Sequence, residues 1–172
     1  MKNNDLSRVR GIVFDVDGVL SPSVIPLYPD GVPMRMVNIK DGYALQLAVK
    51  RGLRLAILSG AHTAAVEYRF RGLGIEDVFL GVPTKLPVFE QWLADRGLKA
   101  EEVIMVGDDI PDIPVMQRAG LSVAPADAAP EVKAVASHVS TIAGGHGVGR
   151  EIVEAVLKAQ NKWMNDQHAF GW

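Results

Sequence analysis

The sequence contains no cysteine, which excludes disulfide bonds, thiolate catalysis and cysteine-ligated zinc or iron–sulfur centres. Neither sign of charge dominates, since 18 basic and 20 acidic residues leave a net charge of −2, and this balance argues against nucleic-acid binding. Long apolar runs are also missing, because aspartates interrupt each one far short of the ~20 residues that span a bilayer. We therefore expect a cytoplasmic protein that binds neither nucleic acid nor membrane.

The length of 172 residues predicts a single domain, residues 1–172. Short runs rich in Val, Ile and Leu alternate with segments of helical spacing, as in a parallel sheet that is buried on both faces. The helical segments end near glycines, at Gly52, Gly72 and Gly97. The predicted strands are Gly11–Val16, Arg54–Leu58, Asp77–Leu80, Val103–Val106 and Leu121–Ala124. This alternation predicts an open α/β sheet.

Two segments depart from the alternation. Residues 21–39 contain four prolines and the turn Pro29-Asp30-Gly31 between apolar flanks, which predicts a β-hairpin projecting after the first strand. A long surface loop is the alternative. An apolar hairpin on so small a domain would need a partner, which favours oligomerisation.

Residues 160–172 are polar with a few aromatics, and we expect a flexible tail.

Chemically reactive side chains follow four of the predicted strands. Because the carboxyl ends of parallel strands meet at one edge of a sheet, folding should gather these side chains there. The set comprises Asp15, Asp17, Ser59, Lys85, Asp108, Asp109 and Asp112. It combines five carboxylates with one hydroxyl and one ammonium group.

Carboxylates held this close repel one another by roughly 4 kcal/mol per pair at an effective dielectric near 20. A hard divalent cation offsets that repulsion, and oxygen ligands favour Mg²⁺, which also favours phosphate partners. Ser59 can donate to a phosphate oxygen, and Lys85 can supply a compact positive charge. Asp109 and Asp112 have an alternative role at a helix start, with Pro111 near its first position.

These motifs, in this order, resemble the four motifs of the haloacid dehalogenase superfamily. Further residues resemble its capless branch, which contains the 3-deoxy-D-manno-octulosonate 8-phosphate (KDO 8-phosphate) phosphatases. The resemblance covers about residues 8–158. It is carried by Asp15-Val-Asp17-Gly18, Ser59-Gly60, Lys85, Gly107-Asp108-Asp109 with Asp112, Asn38–Gly42, Arg69, and Gly144-Gly145 with Arg150-Glu151.

The resemblance implies a Rossmann-like, three-layer α/β fold with an open parallel sheet and no cap domain. It implies a Mg²⁺-dependent phosphatase that hydrolyses KDO 8-phosphate in lipopolysaccharide sugar synthesis and assembles as a homotetramer. A phosphatase for the nine-carbon 2-keto-3-deoxynononate 9-phosphate is the alternative within this branch. Outside catalysis, a phospho-acceptor receiver domain and a retired scaffold of the same fold stay open.

The resemblance also implies roles for the catalytic residues. Asp15 would be the nucleophile that forms an aspartyl-phosphate, and Asp17 would act first as general acid and then as general base. Magnesium would be bound by the Asp15 carboxylate, the Asp17 backbone carbonyl and Asp108. Ser59 and Lys85 would bind the phosphoryl oxygens, with Asp109 and Asp112 supporting the metal ligands and Lys85.

For the substrate, the resemblance implies contacts from Asp17, Asn38, Ile39, Lys40, Asp41, Gly42, Ser59, Gly60, Arg69 and Lys85. Solvated helix faces are the alternative for Lys40 and Arg69. One departure concerns specificity: Ala61 stands where the family usually has an arginine directly after the Ser/Thr-Gly pair. The loss of that cation leaves the choice between an eight-carbon and a nine-carbon sugar acid open.

Overall fold

The computed structural model describes residues 6–171, apart from the side chain of His168. Its centre is a six-stranded sheet in the spatial order β3-β2-β1-β4-β5-β6, with all neighbouring strands parallel. The strands are β1 (Gly11–Phe14), β2 (Arg54–Leu58), β3 (Asp77–Phe79), β4 (Val103–Val106), β5 (Leu121–Ala124) and β6 (His138–Val139). The strand order reverses between β1 and β4, which places a crevice beyond the carboxyl ends of these two strands.

Helices cover both faces of the sheet. They are α1 (Ile39–Lys50), α2 (Ala64–Arg71), α3 (Lys85–Arg96), α4 (Ile113–Arg118), α5 (Pro130–Val135) and α6 (Val148–Ala159), with 3₁₀ turns at Ala100–Glu102, Ile110–Asp112 and Gln167–Phe170. Helices α1, α2 and α6 pack on one face, and α3, α4 and α5 pack on the other. None of the helices within residues 6–171 has the length and apolar composition that a membrane span requires.

Alternation along the strands explains the two apolar layers. Ile12 and Phe14 of β1 join the core under α1 and α6, whereas Val13 joins the core under α3 and α4. Because successive side chains point to opposite faces, a strand covered on both sides must be apolar at every position. The predicted three-layer α/β fold is confirmed. β2, β4 and β5 match the predicted bounds, and β1 and β3 end slightly earlier.

The segment between β1 and α1 reverses direction without forming regular strands. The amide of Tyr28 donates to the Val32 carbonyl and that of Met34 donates to the Pro26 carbonyl, both at 2.8 Å. A single antiparallel bridge joins Leu27 to Pro33. Proline has no N–H to donate, so the four prolines keep the ladder this short. The predicted hairpin is therefore present as a chain reversal, and its two strands are not.

The segment that follows α6 docks on the chain itself. Arg51 at the end of α1 makes a bidentate ion pair with Asp166, at 2.7 and 2.8 Å. The Trp163 ring meets Tyr43 edge-on, and the Arg150 guanidinium lies 5.5 Å from its centroid. These contacts give part of the predicted flexible tail a defined position, while its last residue, Trp172, lies outside the described residues.

Candidate active site

Asp15 lies directly beyond the carboxyl end of β1, in the crevice between β1 and β4. Its amide donates to the Val106 carbonyl at 3.0 Å, which fixes the backbone against β4. One carboxylate oxygen accepts from the Val16 amide at 2.7 Å, and the other lies 2.8 Å from the Lys85 ammonium. The two contacts fix the plane of the Asp15 carboxylate.

Lys85 begins α3 and is buried between two carboxylates. Its ammonium lies 2.6 Å from an Asp112 oxygen as well as near Asp15. The other Asp112 oxygen accepts from the amides of Asp108 and Asp109, at 3.0 and 3.3 Å. Asp112 therefore holds both Lys85 and the loop after β4.

Asp108 brings a second carboxylate to Asp15 from the neighbouring strand. Carboxylate oxygens of Asp15, Asp108 and Asp112 lie within 4.8 Å of one another. This approach depends on Gly18, because a Cβ there would lie 1.9 Å from an Asp108 oxygen and its φ is +77°. Gly18 therefore supplies both the left-handed backbone and the space that Asp108 occupies.

Burial, together with the proximity of these carboxylates, raises two pKa values. Burial raises the pKa of Asp15 to about 6, the Asp112 charge adds to the rise, and Lys85 opposes it. Burial, followed by the charges of Asp15, Asp112 and Asp109, raises the pKa of Asp108 to about 8. Burial lowers the pKa of Lys85, but the neighbouring charges of Asp15 and Asp112 outweigh it, so that the pKa is raised.

A cation fits this cluster. One oxygen of Asp108 is buried and has no hydrogen-bond partner among the described residues, which is costly for a carboxylate unless a ligand neutralises it. The donors are all oxygens, the set that Mg²⁺ prefers. The Asp112 side chain is only 1% exposed, compared with 12% for Asp15, and Asp108 is partly exposed, so Asp15 and Asp108 are the carboxylates that would bind the metal.

The cavity at this edge of the sheet has a volume of about 510 Å³. Eight of the predicted site residues line it, namely Asp15, Asp17, Ser59, Gly60, Lys85, Asp108, Asp109 and Asp112. Ala61 also lines it, with its amide donating to the Ser59 hydroxyl at 3.3 Å. Asp109 itself caps the following 3₁₀ turn by accepting from the Ile110 amide, so the helix-start alternative holds for this residue.

The remaining predicted substrate residues do not line this cavity. Asn38 caps α1, where its side-chain oxygen accepts from the Lys40 amide at 2.9 Å. The side chains of Ile39 and Lys40 are exposed beside it. A role for these three residues in substrate binding stays a prediction.

Asp41 has a different environment from the one predicted. Its buried carboxylate accepts from the Arg150 amide at 2.7 Å, in the first turn of α6. Burial raises its pKa to about 6, while the hydrogen bond and the charge of Arg150 oppose the rise. Gly42, next along α1, lies against Arg69, since a Cβ there would lie 2.2 Å from a guanidinium nitrogen. Asp41 therefore caps α6 through one carboxylate oxygen, and its role in substrate binding stays a prediction.

Sequence reasoning missed Arg35, which lies in the loop between β1 and α1. Its Nε and Nη2 donate to the two carboxylate oxygens of Asp17, both at 2.7 Å. The only sequence signal was a single arginine among the apolar residues of Met34–Val37. Nothing in the spacing indicated that it would reach Asp17.

The chain is similar to known proteins in sequence and in structure. The family model described as haloacid dehalogenase-like hydrolase matches residues 83–152. The 3-deoxy-D-manno-octulosonate 8-phosphate phosphatase of Escherichia coli K12 is 40% identical over 155 residues, which are 90% of this chain and 82% of that protein.

Solved structures agree with the sequence matches. The same phosphatase from Yersinia pestis superposes with a TM-score of 0.89 at 35% identity, covering 93% of this chain and 86% of the other. The Moraxella catarrhalis phosphatase, solved in complex with magnesium, phosphate and KDO, gives 0.88 at 30% identity and covers 92% and 91%. The chain therefore belongs to the 3-deoxy-D-manno-octulosonate 8-phosphate phosphatase family of the haloacid dehalogenase-like hydrolases.

Proposed function

We propose that this protein is a Mg²⁺-dependent phosphatase that hydrolyses KDO 8-phosphate to KDO and phosphate through an aspartyl-phosphate. The observation that carries the proposal is the pairing of Asp15 with Lys85 and Asp108 at the strand-order switch, in a chain that is 40% identical to such a phosphatase. The product is a precursor sugar of lipopolysaccharide, which places the reaction in that biosynthesis.

In the first step, an Asp15 carboxylate oxygen attacks phosphorus and the ester bond to the sugar oxygen breaks. Asp17 gives its proton to that leaving oxygen. Lys85 and Ser59 line the same cavity and stabilise the negative charge on the phosphoryl oxygens.

In the second step, Asp17 takes a proton from water, which attacks the phosphorus of the aspartyl-phosphate and releases phosphate and the Asp15 carboxylate. Magnesium, when bound by Asp15, Asp108 and the Asp17 carbonyl, supplies positive charge that favours ionised carboxylates and a charged phosphate group. Asp112 keeps Lys85 in place through both steps.

The nine-carbon 2-keto-3-deoxynononate 9-phosphate is the second candidate substrate. The observation in its favour is Ala61, which lines the cavity at the position where the family usually has an arginine. A wider and less basic wall at this point accommodates a longer sugar acid.

Two non-enzymatic alternatives are weaker. In a receiver domain the phosphorylated aspartate follows a later strand, whereas here Asp15 follows β1 and the chain is longer than such a domain. A retired scaffold is disfavoured because Asp15, Asp17, Ser59, Lys85 and Asp108 are all present in the cavity.

We also propose that the enzyme is a homotetramer of the cytoplasm. The loop between β1 and α1 exposes six large apolar side chains, namely Val24, Leu27, Tyr28, Val32, Met36 and Val37, and Ile39 at the start of α1 adds a seventh. A patch of this kind favours contact with other subunits, which would also close the cavity. Light scattering after size-exclusion chromatography measures the assembly.

The phosphorylated sugar acid cannot cross a bilayer unaided, so the enzyme must share the compartment where the substrate is made.

Phosphate release in the presence of Mg²⁺ tests the proposed activity, with KDO 8-phosphate and 2-keto-3-deoxynononate 9-phosphate side by side. We expect a higher kcat/KM for KDO 8-phosphate, and no turnover by Asp15→Asn although it folds. A higher value for the nine-carbon acid would replace the substrate assignment. Release from neither by the folded wild-type protein would contradict the proposal.

A further inference from the structure

Arg35, in the loop between β1 and α1, reaches the side chain of the proposed general acid. Its guanidinium meets both carboxylate oxygens of Asp17 in a fork geometry with two 2.7 Å contacts. The two residues are 18 positions apart, and the whole proline-rich chain reversal lies between them. The ion pair thus ties the far end of the loop to the catalytic edge of the sheet.

The burial of Arg35 indicates that this pairing determines its position. Only 9% of its side chain is exposed, compared with 39% for Asp17. Its Nη1 is buried and has no hydrogen-bond partner among the described residues. A buried guanidinium with one unpaired nitrogen is costly, and a bidentate carboxylate is the interaction that best offsets the cost.

Arg35 lies outside the cavity that Asp17 lines. Asp17 lines the cavity together with Asp15, whereas Arg35 is not among the lining residues. A direct contact between Arg35 and a substrate anion is therefore disfavoured in this structure. An effect of Arg35 on the reaction would pass through the orientation of the Asp17 carboxylate.

We propose that Arg35 is a positioning residue that fixes the Asp17 carboxyl group for proton transfer to the leaving sugar oxygen. The guanidinium occupies one lone pair on each Asp17 oxygen, and the transferred proton is carried on the second lone pair of one of them. The proposal rests on the proposed phosphatase function. Without the guanidinium, the half-exposed Asp17 side chain can rotate. Only some of its conformations then place the carboxyl proton within hydrogen-bond distance of the leaving oxygen. Hydrolysis of an unactivated sugar phosphate depends on this proton, whereas p-nitrophenolate leaves without it.

The test compares KDO 8-phosphate with p-nitrophenyl phosphate by kcat/KM, which reports the steps up to formation of the aspartyl-phosphate. For Arg35→Met we expect a loss of about 10- to 100-fold with KDO 8-phosphate, the size typical of a misplaced catalytic group. The loss with p-nitrophenyl phosphate should stay below about threefold. Arg35→Lys, which keeps the charge but not the fork, should recover part of the loss.

A double-mutant cycle separates positioning from loop stability. If Arg35 acts through Asp17, Arg35→Met in an Asp17→Asn background should change kcat/KM by less than about twofold. The matched control is Arg118→Met, which removes an exposed arginine paired with Glu90 and should leave both substrates unaffected.

Equal losses with both substrates, or losses that add fully to that of Asp17→Asn, would overturn the positioning role. Failure of the proposed function has a different signature, a folded wild-type enzyme that releases no phosphate from either sugar acid. If that enzyme hydrolyses another alkyl phosphate, the same leaving-group comparison decides the role of Arg35 with that substrate.

Discussion

The ammonium nitrogen of Lys85 lies 2.8 Å from a carboxylate oxygen of Asp15, and the two side chains are 5% and 12% exposed. Burial alone would favour a protonated and unreactive Asp15. Lys85 opposes that tendency, so that the pKa of Asp15 rises only to about 6 and the nucleophile is ionised at neutral pH. The lysine would therefore act on the proposed nucleophile as well as on the phosphate group of a bound substrate.

Lys85→Met should remove both effects. We expect kcat to fall by about 10²- to 10³-fold, as for other groups that stabilise transition-state charge. The variant should also lose about 3 kcal/mol of unfolding free energy, because Asp15 and Asp112 are left buried without their cation. Kinetics and urea unfolding measure the two effects. The control is Lys50→Met, which replaces an exposed lysine at the end of α1. An active Lys85→Met variant would contradict the role proposed for Lys85 in stabilising transition-state charge.

Magnesium should stabilise the protein more strongly as pH rises. In the metal-free protein the raised pKa values of Asp15 and Asp108, about 6 and about 8, favour the folded state at low pH, and this contribution is lost as pH rises through those values. Mg²⁺ must displace protons below pH 6 and meets ionised carboxylates above pH 8. Calorimetry with and without Mg²⁺ should therefore show a Tm difference that grows over this range.

The comparison variant for the metal site is Asp108→Asn, which should lose most of the Mg²⁺-dependent Tm difference. Asp95→Asn removes a carboxylate that accepts a hydrogen bond from Gln91 on an exposed face of α3, and it should keep the full difference. A Tm difference that is independent of pH in the wild type would place the metal away from Asp15 and Asp108.

Asp41 should make stability depend on pH in the same direction but independently of the metal. Its pKa of about 6 lies above the ordinary 3.8, so its contribution is full below pH 3.8 and is lost as pH rises through 6. The change amounts to roughly 2 to 3 kcal/mol. Asp41→Asn should therefore flatten the pH dependence of the unfolding free energy between pH 4 and 7, measured in EDTA. Parallel curves for the two proteins would contradict this account.

Ala61→Arg tests whether this wall of the cavity meets the sugar acid. The added guanidinium should lower KM for KDO 8-phosphate by about tenfold through a charge-assisted bond to the carboxylate. KM for p-nitrophenyl phosphate, which has no carboxylate, should not change. Ala61→Met adds bulk without charge and should not reproduce the gain. Equal changes for both substrates would assign the effect to the phosphate.

The central chemistry was predictable because it follows from topology. Asp15 and Ser59 come directly after an apolar run and Asp108 comes two residues after one, and parallel strands bring such positions to one edge whatever the loops do. The cavity contains all three. The strand bounds were predictable from topology as well, because a strand that is buried between two helical layers is apolar throughout.

The contacts made by the loop were not predictable from the sequence. The ion pair between Arg35 and Asp17 depends on how a proline-rich chain reversal folds back, and neither helical nor strand spacing encodes that path. Asp41 was assigned to the substrate because of its place in a motif, whereas its burial follows from the packing of α6 on α1. β6 was missed because two residues carry no periodicity.

The packing of α6 on α1 affects how the chain folds during synthesis. The apolar side of α1 faces Ile152, Val153 and Val156 of α6. The Asp41 carboxylate can accept its hydrogen bond from the Arg150 amide only after α6 has been synthesised. Because translation proceeds from the N-terminus, β1, α1 and β2 are synthesised long before α6. The nascent chain therefore presents an uncovered apolar helix face until translation nears the C-terminal helix, and such a surface is what general chaperones bind.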